Sequence, residues 1–223
     1  MMYFALIGDI VKSRELNNRY ETQKKLNQIL NNFNQTYRDE LASNFVLTLG
    51  DEFQGLFNRS NHLFEAIAKI ECEMDPVKVR FSIGIGEILT EINKEKAIGS
   101  DGPAWWQARD TLVILKGKYE KGIKELSNIR LSGLENKAIE NLINSTLTLN
   151  YNLKIKWTSA QKDIIYHIIK NYGLTTEFTQ SDLATKLNLT KPDLNKKLKL
   201  SNFYDYAITF ENIVEVLNQE VIR

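Results

Sequence analysis

One cysteine and two histidines in 223 residues exclude several chemistries. Cys72 has no partner for an intrachain disulfide and no neighbours for a thiolate metal cluster. His62 and His167 lie far apart in the chain, which leaves zinc binding of the usual kind without ligands. Three prolines and eleven glycines are too few for a collagen-like or disordered chain. No eighteen-residue apolar run occurs, so no membrane-spanning helix is predicted. The opening MMYFALIGDIVKSR has no basic stretch before its apolar run and meets Asp9 early, so it does not read as a signal peptide. A reducing, cytoplasmic setting is expected. Net charge is only +1, and residues 145–223 hold ten Lys and Arg against eight Asp and Glu. Bulk charge therefore makes no case for nucleic acid, and any such case has to come from local patterning.

The residues that are present alternate short apolar runs with amphipathic stretches. Tyr3–Ile7 reads as a buried central strand that ends at Gly8-Asp9. Over 17–41, Tyr20, Leu26, Ile29, Leu30, Phe33 and Tyr37 are read as recurring three and four apart, as on one face of a helix. Phe45–Leu49 and Glu52–Phe57 flank Gly50-Asp51 and predict a tight hairpin. A second helix over 61–74 and a strand over 77–88 complete the order β-α-β-β-α-β. That order predicts a ferredoxin-like α+β fold: a four-stranded antiparallel sheet with both helices on one face. A helix over 104–122, a short strand at 129–131 and a helical connection from 134 to about 149 follow. The expected division is residues 1–150 as the sheet domain with its linking helix, and 151–223 as a helix-turn-helix, winged-helix-like domain.

In such a sheet strands 1 and 3 are neighbours at the centre, which brings Asp9 toward Asp51. Either aspartate alone is better explained by the preference of aspartate for turns. Together they suit a hard divalent cation, Mg²⁺ or Mn²⁺, of the kind that orients a triphosphate. Gly8 and Gly50 would let phosphates approach the backbone, and the turn from Ile10 through Lys12, Ser13 and Arg14 offers amides, a hydroxyl and two cations. Arg80 is expected in a cross-strand ion pair, with phosphate contact on the open side of the sheet as the alternative, and Trp105-Trp106 as one core and one rim residue, with stacking on a base or a partner surface as the alternative. Cys72 is expected to be inert among Ile70 and Met74.

These motifs carry a resemblance. LTLGDEFQGLF with RFSIGIGEI resembles diguanylate-cyclase domains, and FALIGDIVKSR with LGDEF is equally similar to class III nucleotidyl cyclases. That resemblance implies a cyclase-type palm over residues 1–130 with Asp9 and Asp51 as its metal pair. It implies that Arg109, in DGPAWWQARD, stabilises a transferring phosphoryl group, and that the protein works as a homodimer. Leu49 stands where the diguanylate-cyclase signature has its first glycine, narrowing room for guanine there, and Trp105 stands where the cyclase helix has asparagine. Across nearly all 223 residues the chain resembles the SatD family, through GDIVKSR, LGDEFQ, SIGIGEI, DGPAWWQARD and the C-terminal helix-turn-helix.

In that last segment Leu183, Ala184, Leu187, Leu189, Leu194 and Leu198 have helix-turn-helix spacing. Lys186, Lys191, Lys196, Lys197 and Lys199 face a single acid, Asp193. Lys191, Lys196, Lys197 and Lys199 are candidate phosphate contacts, and Asn195 is a candidate reader of a base edge. A protein-docking or purely structural module has the same spacing. Three readings follow as expectations: metal-dependent nucleotidyl transfer or cyclisation; nucleotide sensing without turnover, reported to DNA; or a scaffold with neither activity.

Overall fold

The computed structural model of the chain describes residues 1–48, 50–120 and 127–221. Its centre is one sheet of five strands: β1 (Tyr3–Ile10), β2 (Leu41–Leu47), β3 (Glu52–Phe57), β4 (Val79–Gly86) and β5 (Ile129–Ser132). Their spatial order is β2-β3-β1-β4-β5. The first four strands pair antiparallel, and β5 lies parallel to β4, so the sheet is mixed rather than wholly antiparallel. A parallel neighbour needs a crossover. Helix α3 (Pro103–Glu120) runs between these strands, packed on β4, β1 and β5. Leu49 of the hairpin and the expected helix end at Gly122 lie outside the described residues.

Strand β1 does not stop at Gly8-Asp9. Both residues are paired on each side, Gly8 to Phe53 and Phe81, and Asp9 to Glu52 and Arg80. Helix α1 (Arg19–Thr36) is shorter than its periodicity suggests, and β2 starts earlier than Phe45. Tyr37 turns inward and donates to Glu65 at 2.8 Å instead of continuing the helix. The Asn34 side chain donates to the Phe45 carbonyl at 2.9 Å and accepts from its amide at 2.7 Å, tying the helix to the strand.

Alternation along the strands sorts side chains to two faces. Phe4, Leu6, Phe53, Phe81 and Ile83 point to one face, under α1 and α2 (Leu63–Met74), in the larger apolar cluster. Ala5, Ile7 and Leu56 point to the other, where Ala104, Trp105, Ala108 and Leu112 of α3 cover them. Helix α3 approaches so closely that a Cβ on Gly84 would lie 1.9 Å from the Ala104 carbonyl oxygen. Trp105 is buried there and Trp106 is half exposed, one in the core and one at the rim.

The C-terminal part is helical: α4 (Lys137–Lys154), α5 (Ser159–Tyr172), α6 (Gln180–Lys186), α7 (Lys191–Leu200) and α8 (Phe203–Val221). Thr158 and Gln161 form a capping box at α5, and Thr190 caps α7 with Pro192 in its first turn. Thr179 precedes α6 without a side-chain cap bond. No strand follows β5 among the described residues, so these helices carry no β wing. Residue 150 falls within α4. The helices pack back on the sheet layer: Phe64 meets Phe210 with ring centroids 5.2 Å apart, Lys154 pairs with Glu71 at 2.5 Å, and the Ser60 hydroxyl donates to Asn218 at 2.7 Å. No described helix is long and apolar enough to cross a membrane.

Candidate functional site

Three registered residues begin the site. Glu52 on β3, Asp9 on β1 and Arg80 on β4 are cross-strand neighbours in one row, on the face that α3 covers. Asp9 and Arg80 pair at 3.2 Å with both side chains nearly buried, so the expected cross-strand ion pair is present. Helix α3 adds two cations seven residues apart, hence on one helix face. Lys116 reaches Asp9 at 2.7 Å and Glu52 at 3.5 Å, while Arg109 pairs with Glu52.

Asp51 completes the acidic group from the hairpin. Its carbonyl accepts the Ile10 amide at 3.0 Å, which locks the hairpin to the end of β1. Its carboxylate accepts a hydrogen bond from the Ser13 hydroxyl and is close enough to Asp9 to raise that group's pKa. Burial is the largest influence on Asp9 and raises its pKa above the usual carboxylate value; the Lys116 hydrogen bond and the Lys116 and Arg80 charges oppose it without cancelling it. A carboxylate that burial disfavours, beside a second carboxylate, is a place where added positive charge is stabilising.

Some phosphate contacts expected from the sequence are otherwise engaged. The space above Gly8 is filled: a Cβ there would lie 2.0 Å from the Phe53 ring, so this glycine serves cross-strand packing, not ligand approach. The Ile10 amide is committed to Asp51, and the Val11 amide donates to the Lys78 carbonyl at 2.9 Å. Lys12 adopts a left-handed conformation, φ 55°, and its ammonium reaches Glu15 at 2.9 Å. Gly50 is left-handed as well, φ 70°, as the hairpin tip requires. Arg14 is exposed beside them.

Glu52 and Lys116 are therefore site residues that the motifs do not single out as such. Glu52 belongs to LGDEF and alternates with Phe53. For Lys116 the one signal in the sequence is its seven-residue spacing from Arg109.

Among the described residues no group of three or more His, Cys, Asp and Glu converges as a metal cage. Mg²⁺ commonly takes only one or two protein carboxylates and completes its shell with water and phosphate oxygens. The all-oxygen pair Asp9 and Asp51, its charge compensated by an ammonium and a guanidinium in this structure, fits that chemistry.

The lysine-bearing segment sits apart from this site. Leu183, Ala184, Leu194 and Leu198 are buried between α6 and its neighbours, and Asn188 makes the turn in a left-handed conformation, φ 52°. On α7, Lys191, Lys196 and Lys199 are exposed, and Asn195 and Lys197 are half-buried. Buried Cys72 has its thiol pKa pushed up by burial, so it stays protonated and unreactive.

The model of the SatD family matches residues 3–217. No curated protein matches the chain.

Proposed function

The chain belongs to the SatD family, and we propose that its sheet layer is a ferredoxin-like, cyclase-type palm that binds a nucleoside triphosphate with a divalent cation. The observation that carries this reading is the convergence of Asp9 and Asp51 with three basic side chains of β4 and α3 at one end of the sheet. Asp9 and Asp51 would hold Mg²⁺ or Mn²⁺, which supplies charge neutralisation for phosphate oxygens. Lys116 and Arg109, already positioned by acids, exchange those partners for phosphate at little reorganisation cost. Arg109 is exposed enough to follow charge developing on a transferred phosphoryl group, which makes nucleotidyl transfer or cyclisation the catalytic form of this reading. Lys12, Ser13, Arg14 and Gly50 border the phosphate end.

The segment from α6 to α7 favours a second activity in the same chain. Its buried leucines, left-handed turn and exposed lysines suit a helix-turn-helix on the phosphate backbone of DNA. Nucleotide-dependent DNA affinity, with a salt dependence reduced by Lys196→Ala and Lys197→Ala, is its test.

The palm is tested by thermal unfolding with each of ATP, GTP, CTP and UTP, with and without Mg²⁺. Ligand at a hundred times its dissociation constant should stabilise the fold by about 2.7 kcal/mol, and Asp9→Asn should remove that shift. A flat response to all four, in a folded protein, overturns the reading.

A further inference from the structure

A trough of about 440 Å³ adjoins the ion-paired row, between β3, the segment before α3 and the first turns of α3. Arg109 belongs to both, so the trough and the acidic site are continuous. We propose that it is the base subsite of the triphosphate site and that it takes guanine, stacked on Trp106 and read by Asp110. This rests on the reading of the neighbouring site as a triphosphate site.

The geometry runs along α3. Lys116, Arg109 and Trp106 lie in order toward the helix N-terminus. At about 1.5 Å of rise per residue they span about 15 Å along the axis, suited to an extended nucleotide with its phosphates at Lys116 and its base at Trp106. The strand below keeps pace, because Glu52 and Gln54 share a face about 7 Å apart, with Glu52 at the phosphate end and Gln54 lining the trough.

The wall has the chemistry of a base site. Trp106 is 51% exposed, and its indole N–H donates to Asp101 at 2.7 Å, which fixes the ring while leaving a face to stack on. Asp110 follows Trp106 by one helical turn, hence on the same side, and is exposed. Ionised carboxylates only accept hydrogen bonds. Guanine offers two adjacent donors, N1–H and the 2-amino group, where adenine offers a donor beside an acceptor. The guanine signature position at Leu49 belongs to the hairpin motif, a different part of the chain.

The test is isothermal titration of the full chain, with Mg²⁺, against inorganic triphosphate, GTP, inosine triphosphate and ATP. GTP should bind about tenfold more tightly than inorganic triphosphate or ATP, and inosine triphosphate, lacking the 2-amino group, several-fold more weakly than GTP. Trp106→Ala should lower GTP affinity about tenfold, Trp106→Phe should restore most of it, and inorganic triphosphate should move less than about twofold in both. Asp110→Asn exchanges an acceptor for a donor and should move the preference toward ATP. If Trp106→Ala fails to fold, Trp106→Phe and Asp110→Asn decide by whether base preference changes. Inorganic triphosphate binding as tightly as GTP, or the two weakening equally in the variants, overturns the subsite and leaves the triphosphate site standing. No binding of either overturns both.

Discussion

On the α1–α2 face of the sheet, Phe4, Leu6, Phe53, Phe81 and Ile83 fill the space up to the helices; on the α3 face, Ala5, Gly84 and Gly86 leave almost none. The first arrangement holds helices at a distance by bulky side chains, and its stability comes from apolar burial. The second seats a helix on strand backbone, which brings the Arg109 and Lys116 side chains over Glu52 and Asp9. A single alternating strand thus serves both: even-numbered residues of β1 build the core, and Asp9, between Gly8 and Ile10, enters the charged row. The difference teaches that close packing here is the means of placing charge.

The strongest way to break the contrast is on the aromatic face. Phe53→Ala should cost about 4 kcal/mol in denaturant unfolding, from lost transfer energy and a cavity. Its ring occupies the space a Cβ would need at Gly8, so Gly8→Ala should be severely destabilising alone and nearly neutral when combined with Phe53→Ala. Additive costs in that double-mutant cycle would mean that Gly8 is constrained by something other than the ring.

The glycine face should fail differently. Gly84→Ala puts a methyl group against the Ala104 carbonyl and the Ala108 amide, and backbone cannot yield as a side-chain tip does. A loss of about 3 kcal/mol is expected. Because α3 is displaced, the variant should also lose nucleotide-dependent stabilisation, which Phe53→Ala should retain in proportion to its folded fraction. Equal retention in both would separate helix seating from the site.

Within the charged row, Arg80→Met removes one nearly buried partner of Asp9 and leaves Lys116. A cost of about 2 kcal/mol is expected at neutral pH. Losing Arg80 raises the Asp9 pKa further, since the Arg80 charge lowers it in the native protein. The cost should therefore shrink as pH falls and Asp9 protonates. A penalty that does not change with pH would assign the effect to lost packing of the arginine stem.

Much of this arrangement is legible in the residues alone. Asp9 and Asp51 come together because β-α-β-β-α-β order makes strands 1 and 3 neighbours, and order survives errors at element ends. Helix α7 is marked by Thr190 and Pro192, both local signals. The service of Gly8 to Phe53 is not legible, since it depends on a cross-strand register between residues 45 positions apart. Nor is the orientation of α3. Leu112 and Leu115 are buried but Trp106, Val113 and Ile114 are exposed, so apolar residues surround the helix and periodicity does not say which side faces the sheet. Without that orientation, Lys116 has no assigned place beside Asp9. The parallel placement of β5 escapes for a related reason: four residues pair with β4 only because α3 crosses the glycine face.

The smallest expected effect tests whether the row is held for function at the expense of the fold. The folded-state pKa of Asp9 is raised, so the native state favours the protonated form, and stability present at low pH is partly lost as pH rises through that pKa. Asp9→Asn removes the ionisation and with it the loss. At neutral pH the variant should equal the parent or exceed it by about 1 kcal/mol, which is roughly 2–4 °C in a chain of this size. As pH falls through the Asp9 titration the two melting temperatures should converge, because the parent then carries a neutral side chain too. Mg²⁺ with nucleotide should reverse the ranking at neutral pH, stabilising the parent and leaving Asp9→Asn unmoved. A variant less stable than the parent at neutral pH, with the gap closing in acid, would show that the ionised carboxylate stabilises the fold through Arg80 and Lys116 more than burial disfavours it. The charged row would then be a structural counterpart of the aromatic face.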